Sequence, residues 1–206
     1  MLAASERRLL DRLAPDARVL DVGGAVNPFP RADRVIDVLP GDVQRDICDR
    51  DPWPFDDGEF DFAVCSHTLE DVRDPVWVCS ELQRVARAGY VEVPSRLEEQ
   101  SWGVHGEWVG WSHHRWLIDV EDGGLTFGHK SHAVQRKGNH FPKGFAQSLT
   151  PERRVQWLWW EGELRARERI FTDIAEHDAW LAAPVRAHEH EVRRLRLRSR
   201  LGRRPS

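Results

Sequence analysis

The sequence predicts an α/β fold: a doubly wound, mostly parallel sheet with a C-terminal antiparallel hairpin and a Trp- and His-rich lid insertion. Three observations predict it. Short β-type apolar runs recur between residues 18 and 94, separated by turns or helical segments, the alternation that builds parallel sheets. Several of these runs end in acids, glycines or other polar residues, where open sheets bind ligands. Beyond Pro94 the pattern gives way to a polar stretch crowded with Trp and His, followed by two hairpin-like segments.

Each element rests on a local signal. Leu2, Leu9, Leu10 and Leu13 recur at roughly helical spacing, and Pro15 ends that run. Residues 18–22, RVLDV, read as a first strand closed by Gly23-Gly24, and residues 34–38, RVIDV, as a second. Between them Asn27, Pro28 and Pro30 disfavour a long helix. A third strand is expected over 43–47 and a fourth over 60–65, after the turn Asp56-Asp57-Gly58. Residues 75–87 carry Val76, Val78, Leu82 and Val85 as a helix, with Asp74 as its N-cap and Pro75 at its first position. Residues 89–93 form a fifth strand, stopped by Pro94. Hairpins are expected over 115–134, around Asp122-Gly123-Gly124, and over 155–171, turning at Glu161-Gly162. A helix follows at 173–183, and a frayed or disordered tail from Arg193.

With 206 residues the chain has the size of one domain. Its charge is uneven: residues 186–206 carry +6 and the rest −10. Like charges at that density predict a flexible tail that the fold does not need. Nucleic acid is not expected as its partner. Three cysteines without a CxxC pair argue against a disulfide framework and fit a reducing cytoplasm. No apolar run approaches the ~18 residues of a membrane span, and the first 13 residues are too polar for a signal peptide.

The strand ends supply the candidate ligand site. Asp21 and Gly23-Gly24 end the first strand, and the glycines allow a tight turn and close backbone approach. Asp37 ends the second, where a carboxylate can accept hydrogen bonds from both hydroxyls of a ribose. Asp46-Ile47 stands where the third would end, Ser66-His67 ends the fourth and Pro94-Ser95-Arg96 the fifth.

Together these motifs resemble class I S-adenosylmethionine-dependent methyltransferases of the small type 11 kind. The matching residues are VLDVGG at 19–24, VIDV at 35–38, Asp46-Ile47, and PWPFDDGEFDFAVCSHTLEDV at 52–72, the most specific piece. The resemblance covers roughly residues 15–95. It implies a Rossmann-like sheet, S-adenosylmethionine as cofactor, and methyl transfer to a small-molecule acceptor, a hydroxyl being one candidate. It places Gly23, Gly24 and Ala25 beneath the methionine part of the cofactor and Asp21 near its ammonium. It gives the ribose to Asp37 and the adenine amino group to Asp46, with Ile47 packed on the ring. Ser66 and His67 would face the methyl group and the acceptor. The family's D-x-G-x-G-x-G pattern reads here Asp21, Gly23, Ala25, Asn27, and Asn27 is expected to replace a glycine by tolerating left-handed backbone angles. On this reading residues 1–185 form the methyltransferase-like domain, 95–148 its lid and 186–206 the basic tail.

On the acceptor side, Ser95, Arg96 and Arg115 are candidate substrate contacts, and His67, His113 and His114 candidate catalytic bases, because imidazole titrates near neutral pH. In a strand His113 and His114 would point to opposite faces, so one of them is expected in the pocket. No metal is expected: neither the cysteines nor the histidine pairs 129/132 and 188/190 form a convincing ligand set, and no H-E-x-x-H occurs. Two other readings fit parts of the sequence. The missing glycines favour a non-catalytic nucleoside- or partner-binding module. A metal-dependent hydrolase would draw on His113, His114, Asn139 and His140.

Overall fold

The computed structural model describes residues 1–201, with side chains through Leu197. In chain order the elements are α1 (Ala3–Arg12), β1 (Val19–Val22), β2 (Arg34–Asp37), β3 (Val43–Gln44), β4 (Phe60–Ser66), α2 (Pro75–Val85), β5 (Ala86–Pro94), α3 (Arg96–Glu99), β6 (Trp116–Glu121), β7 (Gly124–His129), α4 (Pro151–Arg154), β8 (Val155–Glu161), β9 (Arg165–Arg169), α5 (Ile174–Ala187) and α6 (Glu189–Leu201).

The main sheet has the order β3-β2-β1-β4-β5-β8, with β8 antiparallel to β5 and every other pair parallel. This is a Rossmann-like order whose last strand is reversed. All four residues of β1 are buried, as a central parallel strand requires. One face of the sheet packs Val19, Phe62, Val64 and Tyr90 against Leu9 of α1 and Phe29. Phe29, 3% exposed, caps that face from the β1–β2 connection, where a crossover helix would otherwise sit. The other face joins Leu20, Val22 and Val91 to Val78 and Leu82 of α2 and to Ile118, Leu125 and Phe127 of a smaller sheet. At the start of α2 the Asp74 carboxylate accepts from Trp77 N–H at 3.0 Å, and Pro75 fills the first turn.

Two expectations change. The 155–171 segment is not a hairpin. After the turn at Gly162, β9 leaves β8 and joins the smaller sheet, of order β6-β7-β9, where it runs parallel to β7. The alternation in RARER suits a strand, but sequence adjacency does not choose its partner. The basic tail is helical through Leu201: Val192, 5% exposed, packs with Phe141, Phe145 and Leu149, with Leu195 against them, and Glu191 takes both Arg153 nitrogens. Val192 and Leu195 are three residues apart, the spacing that makes one helical face. The tail's last residues, 202–206, lie outside the described residues. Among those described, no helix is long and apolar enough to cross a membrane.

Candidate active site

The parallel strands end together on one side of the sheet, and a cleft of about 490 Å³ opens there. Its floor is the turn after β1. Gly23 has φ +79°, and a Cβ on it would fall 2.2 Å from Thr68 Oγ1, so only glycine fits. A Cβ on Gly24 would fall 2.0 Å from Asp21 Oδ2. Asp37, 6% exposed, lines the cleft and fixes its rim by accepting from Ala25 N–H at 3.0 Å and Leu39 N–H at 2.9 Å. Asp46 and Ile47 stand further along. Asp46 Oδ1 accepts from Cys48 N–H and Oδ2 pairs with Arg73 at 2.7 Å; these hold its carboxyl below the ordinary range. Val26, Val38 and Leu39 line the same cleft with exposures of 82%, 61% and 44%. Three exposed apolar side chains around one concavity suit a flat apolar ligand surface.

His67 stands between this cleft and a second pocket of about 390 Å³, and lines both. It follows β4 with φ +54°, an uncommon conformation for a side-chain-bearing residue. Parallel pairing of Ser66 with Glu92 brings that bend beside β5, where His67 N–H donates to the Glu92 carbonyl at 2.8 Å. The ring lies between two buried carboxylates: Nδ1 is 3.2 Å from Glu70 Oε1 and Nε2 3.6 Å from Glu92 Oε1. Burial opposes its charge, but the two carboxylates outweigh burial and raise its pKa to about 9. The two carboxylates thus favour the charged ring, which works against the role of base expected of His67. Glu92 also accepts from Leu2 N–H and Tyr90 O–H; despite its burial, these bonds and His67 lower its pKa to about 2.

The second pocket is walled by Glu70, Asp71, Glu98, Trp111, His113, His114 and Arg154. Two of its buried carboxylate oxygens, Glu70 Oε2 and Glu98 Oε2, have no hydrogen-bond partner. Both histidines of the adjacent pair reach it, because residues 112–114 form a turn before β6 rather than a strand.

Residues 17–91 match the family model described as "Methyltransferase domain". Over those residues the chain is similar to that domain. Among solved structures, an S-adenosylmethionine-dependent methyltransferase from Aquifex aeolicus is 18% identical, with a TM-score of 0.36, over 44% of this chain and 64% of that one. Another, from Mesorhizobium loti, is 15% identical with a TM-score of 0.35, over 62% of this chain and 65% of that one. The chain thus spans somewhat less than two thirds of the length of either. The comparison with curated proteins found no match.

The residues of the cleft fit S-adenosylmethionine, the cofactor that the similarity implies. The Cβ-excluding floor at Gly23, the buried Asp37 carboxylate and the apolar rim suit an amino-acid moiety, a ribose and a base in turn. Gly23, Asp37, Asp46, Ile47 and His67 line the cleft as the sequence suggested, and Gly24 and Ala25 belong to its floor turn. Four expected contacts do not. Asp21 points into the turn, where Oδ2 accepts from Phe29 N–H at 2.7 Å and burial lifts its pKa to about 6. Ser66 Oγ is buried away from the cleft, and Thr68 takes its place, its hydroxyl donating to Val22 C=O. Ser95 caps α3, accepting from Glu98 N–H and donating to Arg153 C=O. Arg96, 8% exposed, is a structural cation: it pairs with Asp119 at 3.0 Å and lies 3.9 Å over the Trp180 ring. Arg115 lines the cofactor-side cleft rather than the acceptor pocket. Asn27 does not take up left-handed angles; in that turn Gly23 alone does. Asn139 and His140 lie elsewhere: Asn139 bonds Asp178, and His140 packs on Trp102, so the four-residue hydrolase set is not assembled. Sequence reasoning missed Thr68, Glu70 and Asp71, although all three stand in the HTLED run that carried the resemblance.

Proposed function

We propose that the chain transfers a methyl group from S-adenosylmethionine to a small polar acceptor bound in the pocket beyond His67. The observation that carries this reading is the common wall: His67 and Asp71 line both the 490 Å³ cleft and the 390 Å³ pocket. When bound, the cofactor supplies a methyl group on a positively charged sulfur, already a good leaving group. The residues of the chain therefore have mainly to orient the acceptor and exclude alternatives. Gly23 lets the backbone approach the ligand, Asp37 offers its remaining lone pairs to ribose hydroxyls, and Asp46 accepts from the base. Glu70 Oε2, buried without a hydrogen-bond partner, and Glu98 Oε2, which stands 3.8 Å from Arg154 Nε and accepts no hydrogen bond, call for an acceptor that brings N–H or O–H donors, because such oxygens are rarely left unsatisfied. A hydroxyl-bearing acceptor meets that requirement. His67 acts as a fixed cation that orients Glu70 and Glu92, while His113 and His114 face the acceptor. Three free, buried cysteines suit a reducing cytoplasm.

A thermal-shift experiment tests the reading. S-adenosylmethionine and its demethylated product should each raise the Tm of the wild type. Both shifts should shrink in Val38→Asp, which puts a charge on the exposed apolar rim without touching the core. No shift in the wild type would refute the proposal.

A further inference from the structure

We propose that Asp71, His113 and His114 bind a divalent first-row transition-metal ion at the mouth of the acceptor pocket. The inference deepens the methyl-transfer reading, because it places a Lewis acid where the acceptor would sit, but its test does not depend on turnover.

Three ligand atoms converge from two segments 42 residues apart in sequence. His113 Nε2 and His114 Nε2 each lie 3.9 Å from the same oxygen, Asp71 Oδ1, and the three ligand atoms lie within 4.8 Å of one another. Donors about 2.1 Å from a metal stand about 3.4 Å apart at a tetrahedral angle. The two separations from Asp71 thus exceed this by about half an ångström, and Asp71 and His113 are exposed and free to rotate toward closer contact.

The group behind the ligands points to a metal independently. Glu99, 2% exposed, accepts from Lys130 and from Trp111 N–H through Oε1. Its Oε2 is 2.8 Å from His114 Nδ1. That contact occupies Nδ1 and leaves Nε2 as the ring nitrogen turned toward Asp71. A carboxylate behind a histidine, orienting it and raising its basicity, is the usual support of a metal ligand. Buried Glu70 lines the same pocket, its Oε2 without a hydrogen-bond partner, and adds negative charge near the ligands. Two imidazoles and one carboxylate with open coordination positions favour a transition ion over Mg²⁺ or Ca²⁺, which prefer all-oxygen sets. All three residues line the pocket, so an ion held by them would be placed to take an acceptor oxygen and ease loss of its proton.

Co²⁺ is a suitable probe because its visible bands report coordination. Titrated into the purified full chain, Co²⁺ should bind one per protein and give d–d absorption, and Mg²⁺ in excess should not displace it. His113→Ala, exposed and free to fold, should weaken Co²⁺ at least 10-fold, and Asp71→Asn likewise. Glu99→Gln should weaken it about 10–100-fold, as supporting residues do. S-adenosylmethionine affinity should be unchanged in His113→Ala, so a failed metal site and a failed cofactor site give different results. Absence of d–d bands in the wild type, or equal Co²⁺ affinity in the wild type and a His113→Ala/His114→Ala double variant, would overturn the assignment.

Discussion

Replacing His67 with glutamine removes an imidazole that lies between two buried carboxylates, Glu70 and Glu92, which are 1% and 0% exposed. The raised pKa, about 9 against an ordinary 6.5, corresponds to about 3 kcal/mol of preference for the charged ring. The ring is 39% exposed, so solvent screening reduces the usable part to about 1–2 kcal/mol. The sign follows from linkage. The folded state holds the proton more tightly than the unfolded chain, so the contribution is complete below pH 6.5 and disappears as pH rises through about 9. On the acid side Glu92, with its pKa lowered to about 2, limits the same interaction as pH falls below its ordinary 4.5. Urea denaturation of wild type and His67→Gln should therefore differ by about 1–2 kcal/mol at pH 6 and by much less at pH 9.5. A ring that titrates near 6.5 by nitrogen NMR, or a difference that grows with pH, would refute the reasoning.

Three further outcomes follow from the packing. Gly23→Ala should cost about 1–2 kcal/mol for the left-handed backbone alone, and the clash with Thr68 should abolish S-adenosylmethionine binding; calorimetry on the folded variant checks it. Truncation after Ala187 removes Val192 and Leu195 from their cluster and the Glu191–Arg153 pair, and should lower stability in urea by about 2 kcal/mol, mostly from the buried valine; an unchanged midpoint would mean that α6 does not hold Phe141 and Phe145 in place. Asp21, with a pKa near 6 in the fold against 3.8 outside it, makes the protein more stable as pH falls from 6 toward 4; Asp21→Asn should erase that slope, which pH-dependent unfolding would reveal.

The central sheet was legible because its signals are local. The run from Val19 to Gly24, the Asp74-Pro75 helix start and the β6–β7 turn at Asp122-Gly123 each specify their own geometry. Asp37 and Asp46 were legible as strand ends for the same reason. Partner choice was not: nothing in RARER indicates that β9 pairs with β7 instead of β8. Arg96 shows the limit for site residues. It directly follows the fifth strand, the expected place for a substrate contact, yet Asp119, 23 residues on, and Trp180, 84 residues on, claim its guanidinium. The grouping of Asp71 with His113 and His114 was hidden likewise, since it depends on where a turn before β6 meets the loop after β4. Val192 and Leu195 were too few to outweigh the surrounding arginines in a sequence reading, but the fold presents them with a ready apolar surface.

We propose that the cleft above β1 and β2 binds S-adenosylmethionine. Isothermal titration of wild type and Asp37→Ala tests it most directly. The wild type should bind one cofactor per chain, and the variant should bind it with about 1.5–3 kcal/mol less free energy, the value of hydrogen bonds to a charged group, or about 10–150-fold weaker. No binding to the wild type, or equal affinity in a folded Asp37→Ala, would contradict the account.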